Sequence, residues 1–313
     1  MELFSVGADI GGSHITCQLV NLQNLNPVPE SKVRIAISEN APKNEIISTW
    51  MEAIQKATLN HSVNSLAGIG LAMPGPFDYR NGIALFNKNV GKFQQLYGVN
   101  VKAEITEKLN LPKDFPVRFL NDATCFAIGE AWLGKASKYK RIIALTLGTG
   151  FGTTFIKDGL PVAGKFGIPE DGFLYHVSFK QSIADEYFST RWFTGEWERQ
   201  NGIKIGNVKE LAALASASRS VEALAVFERF GNNLGEFLVN WIKIFQADCI
   251  VLGGNISKSA ELFLPKTIDQ FQQAGVYPEI CVSALDEDAA LVGSARLCDD
   301  DYYGKLLQSN IYQ

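Results

Sequence analysis

Apolar residues recur along this chain in two alternating periods, one of strands and one of helices. Phe4 to Ala8 is a short apolar run, and Ile15 to Val20 alternates between two faces as a half-buried strand does. Between them lies Asp9-Ile10-Gly11-Gly12-Ser13-His14, so the segment reads as strand, glycine turn, strand. Arg141 to Leu147, Gly148-Thr149-Gly150-Phe151-Gly152 and Thr153 to Ile156 repeat the device, closing at Asp158-Gly159. Placing Thr146 on Asp9 puts Gly148 on Gly11 and brings Asn21 and Asp158 within one residue of register, an internal repeat offset by 137 residues. Two similar half-molecules are implied.

Each hairpin is followed, after an interval, by a helix, a short apolar strand and a second glycine turn. Asn44 to Leu59 carries Ile46, Ile47, Trp50, Met51, Ile54 and Ala57 at helical spacing, ahead of a strand over 67–73 and Pro74-Gly75-Pro76. Val221 to Phe245 carries Leu224, Phe227, Leu234, Leu238, Trp241 and Phe245, ahead of Cys249-Ile250-Val251-Leu252-Gly253-Gly254-Asn255. Strands alternating with helices predict mixed α/β sheets with ligand sites at strand carboxyl ends. No Pro-rich or Ser-rich linker divides the halves. We expect an N-terminal α/β domain over 1–122, completed by a C-terminal helix over about 288–313, and a larger C-terminal α/β domain over 123–287. The tail from Asp286 to about Leu307 reads as one closing helix.

Composition narrows the class. The 313 residues are 46% apolar, 20% charged and 11% aromatic, with 28 Gly and 11 Pro, which excludes disorder, collagen and coiled coil. A formal net charge of −4 supplies no basic field for non-specific nucleic-acid binding. The N-terminal residues lack the basic, apolar character of a secretory signal, and no apolar run approaches membrane-spanning length, so a soluble protein is expected. Five scattered cysteines without a C-x-x-C pair fit reduced, buried thiols in a cytoplasm.

Glycine turns between strands let a backbone approach phosphate closely, with successive amides aimed at its oxygens. Asp9 would then hold Mg²⁺, directly or through water, while Gly11, Gly12 and Ser13 cradle phosphate. Gly148, Thr149 and Gly150 offer a second set from the other half, so that the two hairpins could clamp one phosphate chain. Taken singly, either turn is more often a tight hairpin with no ligand. Gly159 to Lys165 matches G-x-x-x-x-G-K but is followed by Phe166 where a P-loop needs a hydroxyl, so it reads as a turn, with Lys165 near an anionic substrate as a minor option. Asn121-Asp122 follows a strand-like run and precedes a helix-like one. A carboxylate there could take a proton from an attacking hydroxyl, or the pair could simply cap the helix.

With Asp9-x-Gly11-Gly12, Pro74-Gly75-Pro76, Asn121-Asp122, Gly148-Thr149-Gly150 and Leu252-Gly253-Gly254 in this order, the chain resembles the ROK family of bacterial sugar kinases from about residue 5 to 297. The resemblance implies a duplicated actin-like, ribonuclease-H-like ATPase fold, two domains around a central cleft. It also implies ATP- and Mg²⁺-dependent phosphorylation of a hexose, with Asp122 as general base, Asn121 and Asn89 as sugar contacts, and Gly253, Gly254 and Asn255 at the adenosine. A cytoplasmic homodimer is the corresponding assembly.

Departures from the family pattern fall between residues 164 and 190. The Glu-x-Gly-His signature is broken: Glu170 and His176, the candidates, stand six residues apart rather than three. Val177 to Ala184 is too short for the cysteine-rich zinc segment and contains no Cys, so no zinc site is expected. Asp185-Glu186-Tyr187-Phe188-Ser189 resembles the family's Glu-x-Tyr-Ala-Ser run, which makes Asp185 the equivalent substrate-binding acid, with Glu186 as fallback. Glucose is the leading acceptor; fructose, mannose, N-acetylglucosamine and N-acetylmannosamine are alternatives. Polyphosphate as donor would need a cationic groove, for which Lys135, Lys138, Lys140 and Arg141 are the only basic cluster. A catalytically silent sugar sensor is the alternative of another class. Family repressors carry a DNA-binding module before the phosphate motif, whereas eight residues precede Asp9 here.

Overall fold

The computed structural model describes residues 2–24, 26–59, 61–62, 65–87, 92–217 and 219–312. In chain order its strands are β1 (Phe4–Ile10), β2 (His14–Asn21), β3 (Val33–Ala36), β4 (Leu66–Met73), β5 (Phe77–Asp78), β6 (Ile83–Ala84), β7 (Val117–Asn121), β8 (Arg141–Leu147), β9 (Phe151–Lys157), β10 (Leu160–Val162), β11 (Ser178–Phe179), β12 (Ser182–Ile183), β13 (Cys249–Gly253) and β14 (Glu279–Val282). The helices are α1 (Lys43–Ala57), α2 (Val101–Lys108), α3 (Asp122–Trp132), α4 (Ala184–Tyr187), α5 (Thr190–Asn201), α6 (Val208–Ser216), α7 (Val221–Phe245), α8 (Ala260–Gln273), α9 (Asp288–Arg296) and α10 (Asp300–Leu307). Both long amphipathic segments therefore fold as helices, with Ile46, Ile47, Trp50 and Ile54 buried on α1, and Phe227, Leu234, Leu238 and Phe245 on α7, whereas Leu224 is exposed and Trp241 only partly buried.

The chain forms two compact units, residues 1–134 with 287–313, and residues 135–286. The first is built on a five-stranded sheet of order β3-β2-β1-β4-β7, the second on one of order β10-β9-β8-β13-β14. In each, three antiparallel strands adjoin two parallel ones, with β1 and β8 in corresponding central places. The repeat seen in the sequence is thus a repeat of topology. Each sheet has its own apolar core, the second a packed set of aromatic rings that includes Phe188, Phe193, Phe227, Phe230 and Phe237.

Two expectations are corrected. A division at 122 would have placed α3 in the second unit, but α3 packs on α9 within the first. A Cβ on Gly129 would lie 1.9 Å from the Ala289 carbonyl oxygen, and one on Gly293 would lie 1.8 Å from that of Cys125. Only glycines permit so close an approach, and the units divide after Gly134 instead. The tail, expected as one helix, is two. The chain breaks at 297–299, where the Asp299 carboxylate accepts the Tyr302 amide at 3.0 Å and caps a new helix.

Candidate active site

In the first unit, Asp9 stands near the end of β1, in register with Thr16 of β2 and Ala72 of β4. The turn that follows is closed by the Gly11 amide donating to the His14 carbonyl at 2.9 Å. Space around it is tight: a Cβ on Gly12 would lie 2.7 Å from a Glu39 carboxylate oxygen and 3.6 Å from Lys92 Cε. The His14 Nδ1 lies 3.0 Å from Ser13 Oγ and 3.3 Å from an Arg34 guanidinium nitrogen, and Arg34 pairs with Glu287 at 2.7 Å. Burial, then the neighbouring Arg34, holds the His14 pKa below its ordinary value, so the ring is neutral at pH 7.

Asn121 and Asp122 sit where β7 passes into α3. The Asn121 side chain is the N-cap, its amide oxygen accepting the Thr124 amide at 3.2 Å, while its nitrogen lies 3.4 Å from the Tyr79 hydroxyl. The oxygen serves the helix, while the amino group is directed at Tyr79. Asp122 accepts the Ala123 amide at 2.8 Å. Burial raises its pKa, opposed by that amide and by the Lys92 ammonium. Asp9 is pushed up to about 7, first by burial and then by the Asp122 and Glu287 carboxylates.

Arg34 beside Asp9 and Lys92 beside Asp122 offset the burial of these acids only in part, a condition a divalent cation relieves. Among the described residues no group of three or more His, Cys, Asp or Glu is placed to hold a metal. Asp9 would be the single protein carboxylate, with water and phosphate oxygens completing the shell, a donor set that suits Mg²⁺.

In the second unit, Gly148-Thr149-Gly150 joins β8 to β9, and the Gly148 amide donates to the Gly150 carbonyl at 3.1 Å. Among the described residues the amides of Gly12, Ser13, Thr149 and Gly150 have no protein acceptor, which leaves both turns able to receive phosphate oxygens. β13 ends beside the Gly148–Gly150 turn, Gly253 in register with Thr146. Gly254 has φ +83, and a Cβ there would lie 2.3 Å from the Leu147 carbonyl oxygen, so this glycine is required by packing whatever it binds. Asn255 opens the short turn that follows.

The residues between 164 and 190 are arranged differently from the sequence expectation. Glu170 is exposed, and the acid beside His176 is Asp171, 3.6 Å from its Nδ1. Glu170 and His176 are not a pair. Asp185 is engaged at both oxygens, one accepting the Phe151 amide at 2.7 Å and the other Arg191 at 2.6 Å. Lys165 belongs to a turn whose Phe166 packs on Phe245 beneath Arg141 and Lys157. Arg141 and Lys157 pair at one end of the β8/β9 ladder and Leu147 and Phe151 at the other, about 20 Å away at roughly 3.3 Å per residue. Lys165 is therefore remote from the glycine turn, against its reading as a substrate contact. Asn89 lies outside the described residues. Tyr79, Arg34, Glu287, Asp171 and Arg191 were not found by sequence reasoning. Arg34 and Glu287 meet across more than 250 positions, and no local pattern announces such a pair.

A sequence model of the ROK family matches residues 5–301. The chain belongs to the ROK family. Among its relatives, the glucokinase of Thermotoga maritima is 27% identical over 95% of this chain and 97% of that protein. The N-acetyl-D-glucosamine kinase of Pectobacterium carotovorum is 26% identical over 82% of this chain and 85% of that one. The crystal structure of a ROK family glucokinase from Streptomyces griseus, in complex with glucose and AMPPNP, superposes with a TM-score of 0.71 at 21% identity, over 94% of this chain and 98% of that one. The ROK family member described here thus has the duplicated actin-like ATPase fold.

Proposed function

We propose that this protein transfers the γ-phosphoryl group of ATP to a hydroxyl of a hexose, glucose first among the candidates, with Asp122 as general base. The observation that carries the reading is Asp122 itself. It is a half-buried carboxylate of raised pKa at the carboxyl end of β7, in the same unit as Asp9 and the first glycine turn. A raised pKa makes it a better proton acceptor toward an alcohol, and the Ala123 amide fixes one oxygen so that the other can face the hydroxyl. Asn121, through the amino group that the helix cap leaves unused, would hold an adjacent hydroxyl, with Asn89 and His176 as further sugar contacts.

Gly11, Gly12, Ser13, Gly148, Thr149 and Gly150 would bind the phosphates through backbone amides, and Gly253, Gly254 and Asn255 the adenosine. Asp9 would hold Mg²⁺, which would supply neutralisation of the phosphate charge. Relatives that act on glucose and on N-acetyl-D-glucosamine leave both classes of acceptor open to trial. ATP is favoured over polyphosphate because the basic cluster gives no groove at the turn. Arg141 is spent on the Phe245 carbonyl and Gln246, at the end of β8 away from Gly148. A cytoplasmic setting accords with five free cysteines, and a homodimer with the family; light scattering tests the latter.

The deciding experiment is ADP release from Mg-ATP across a panel of hexoses and N-acetylhexosamines, with polyphosphate as a parallel donor. One sugar should drive turnover, and Asp122→Asn should lower kcat by about 10²- to 10⁴-fold with its melting temperature kept. Sugars that raise the melting temperature without turnover from either donor would replace the kinase by the sensor.

A further inference from the structure

Thr190 and Arg191 hold the outer side of the second glycine turn. The Thr190 amide and hydroxyl both donate to the Gly148 carbonyl, at 2.8 and 3.0 Å, and Arg191 donates to the Thr149 carbonyl at 3.1 Å. Asp185 completes the clamp, taking the Phe151 amide with one oxygen and Arg191 with the other. In a trans peptide the carbonyl and the following amide point in opposite directions. Fixing the Gly148 carbonyl therefore turns the Thr149 amide away from α5, and fixing the Thr149 carbonyl does the same for Gly150. These are the two amides of the turn without a protein acceptor among the described residues.

We propose that Asp185 and Arg191 are a positioning pair that presets the Gly148–Gly150 turn for the donor phosphates. Both carboxylate oxygens already have partners, and Oδ1 lies 3.2 Å from where a Cβ on Gly150 would stand, so the acid is part of the turn's frame. The half-exposed guanidinium is paired with Glu186 at 3.2 Å as well as with Asp185, so the clamp acts by fixing the direction of the two amides and not through a net positive charge. The inference rests on the kinase reading above and assigns these residues to its donor half.

The test is calorimetric titration of MgADP into the whole protein and its variants, alongside separate KM values for ATP and for the hexose. Arg191→Met and Asp185→Asn should each weaken MgADP about tenfold, as loss of a charge-assisted hydrogen bond does, with Arg191→Lys in between. The KM for ATP should rise and that for the hexose hold, with melting temperatures near the wild type. Unchanged MgADP affinity in Arg191→Met overturns the proposal, as does a rise in hexose KM alone, which would return Asp185 to the sugar. Should Asp185→Asn fail to fold, Arg191→Met, altered at a half-exposed side chain, still decides. A wild-type protein that binds no MgADP refutes the kinase reading itself, and this proposal with it.

Discussion

Asp9 is an acid on a strand whose other side chains are nearly all buried, and the chain tolerates it at a cost. Its pKa rises from the ordinary 3.8 to about 7, burial being the larger cause and Asp122 the next. Between those two values the folded protein keeps a proton that the unfolded chain has released, so stability falls as pH rises through that window. Asp9→Asn, which never ionises, should therefore be more stable than the wild type at pH 8. The gain is about 2 kcal/mol once partial exposure is allowed for, and it should vanish below pH 4. Urea midpoints at the two pH values measure this; equal differences at both would sink the argument. The same titration governs cation binding. In the kinase reading, kcat/KM for Mg-ATP should decline below about pH 7 as Asp9 takes up its proton, and Asp9→Asn should lose activity while gaining stability.

Among elements, α9 shows what a local reading of sequence can and cannot see. It lies against β1 and β4 at two glycines: a Cβ on Gly7 would lie 2.0 Å from the Leu291 carbonyl oxygen, and one on Gly70 would lie 1.8 Å from that of Ser294. Backbone cannot yield as a flexible side chain does. Gly70→Ala should therefore cost about 3 kcal/mol, whereas Gly304→Ala in α10, with nothing within 4 Å, should be neutral or gain up to about 1 kcal/mol from helix propensity. Thermal unfolding of the two variants distinguishes packing from propensity. In the sequence Gly70 is only a small residue in an apolar run, because its reason stands more than 200 positions away. The hairpin strands, β4, β7, β13 and α7 were legible because their periods are local, and Asn121 as a cap was legible because capping reaches only three residues. The break between α9 and α10 has a local signal too: Asp299 followed by two further acids is a helix N-terminal pattern.

At the scale of the molecule, the 137-residue offset was readable because each half must form the same hairpin, helix and strand to cover its own sheet, and the strand orders agree position by position. The boundary was not readable, since nothing in 122–134 says which sheet α3 will cover. The two units differ in a way the repeat conceals: the second is one continuous stretch, and the first is closed by residues from the far end of the chain. Among the described residues, the aromatic core of the second draws only on residues between Ile143 and Val282. A fragment of 135–286 holds its whole five-stranded sheet and its covering helices α7 and α8, and should unfold cooperatively alone. A fragment of 1–134 lacks α9, leaving Val20 and the faces of Gly7 and Gly70 without the helix that covers them. It should not fold cooperatively until a peptide of 287–313 is added. Circular dichroism melts of both fragments, with and without the peptide, test this division. A cooperative melt for 1–134 alone would mean that α9 merely decorates the first sheet, and that the glycine contacts are tolerated rather than required.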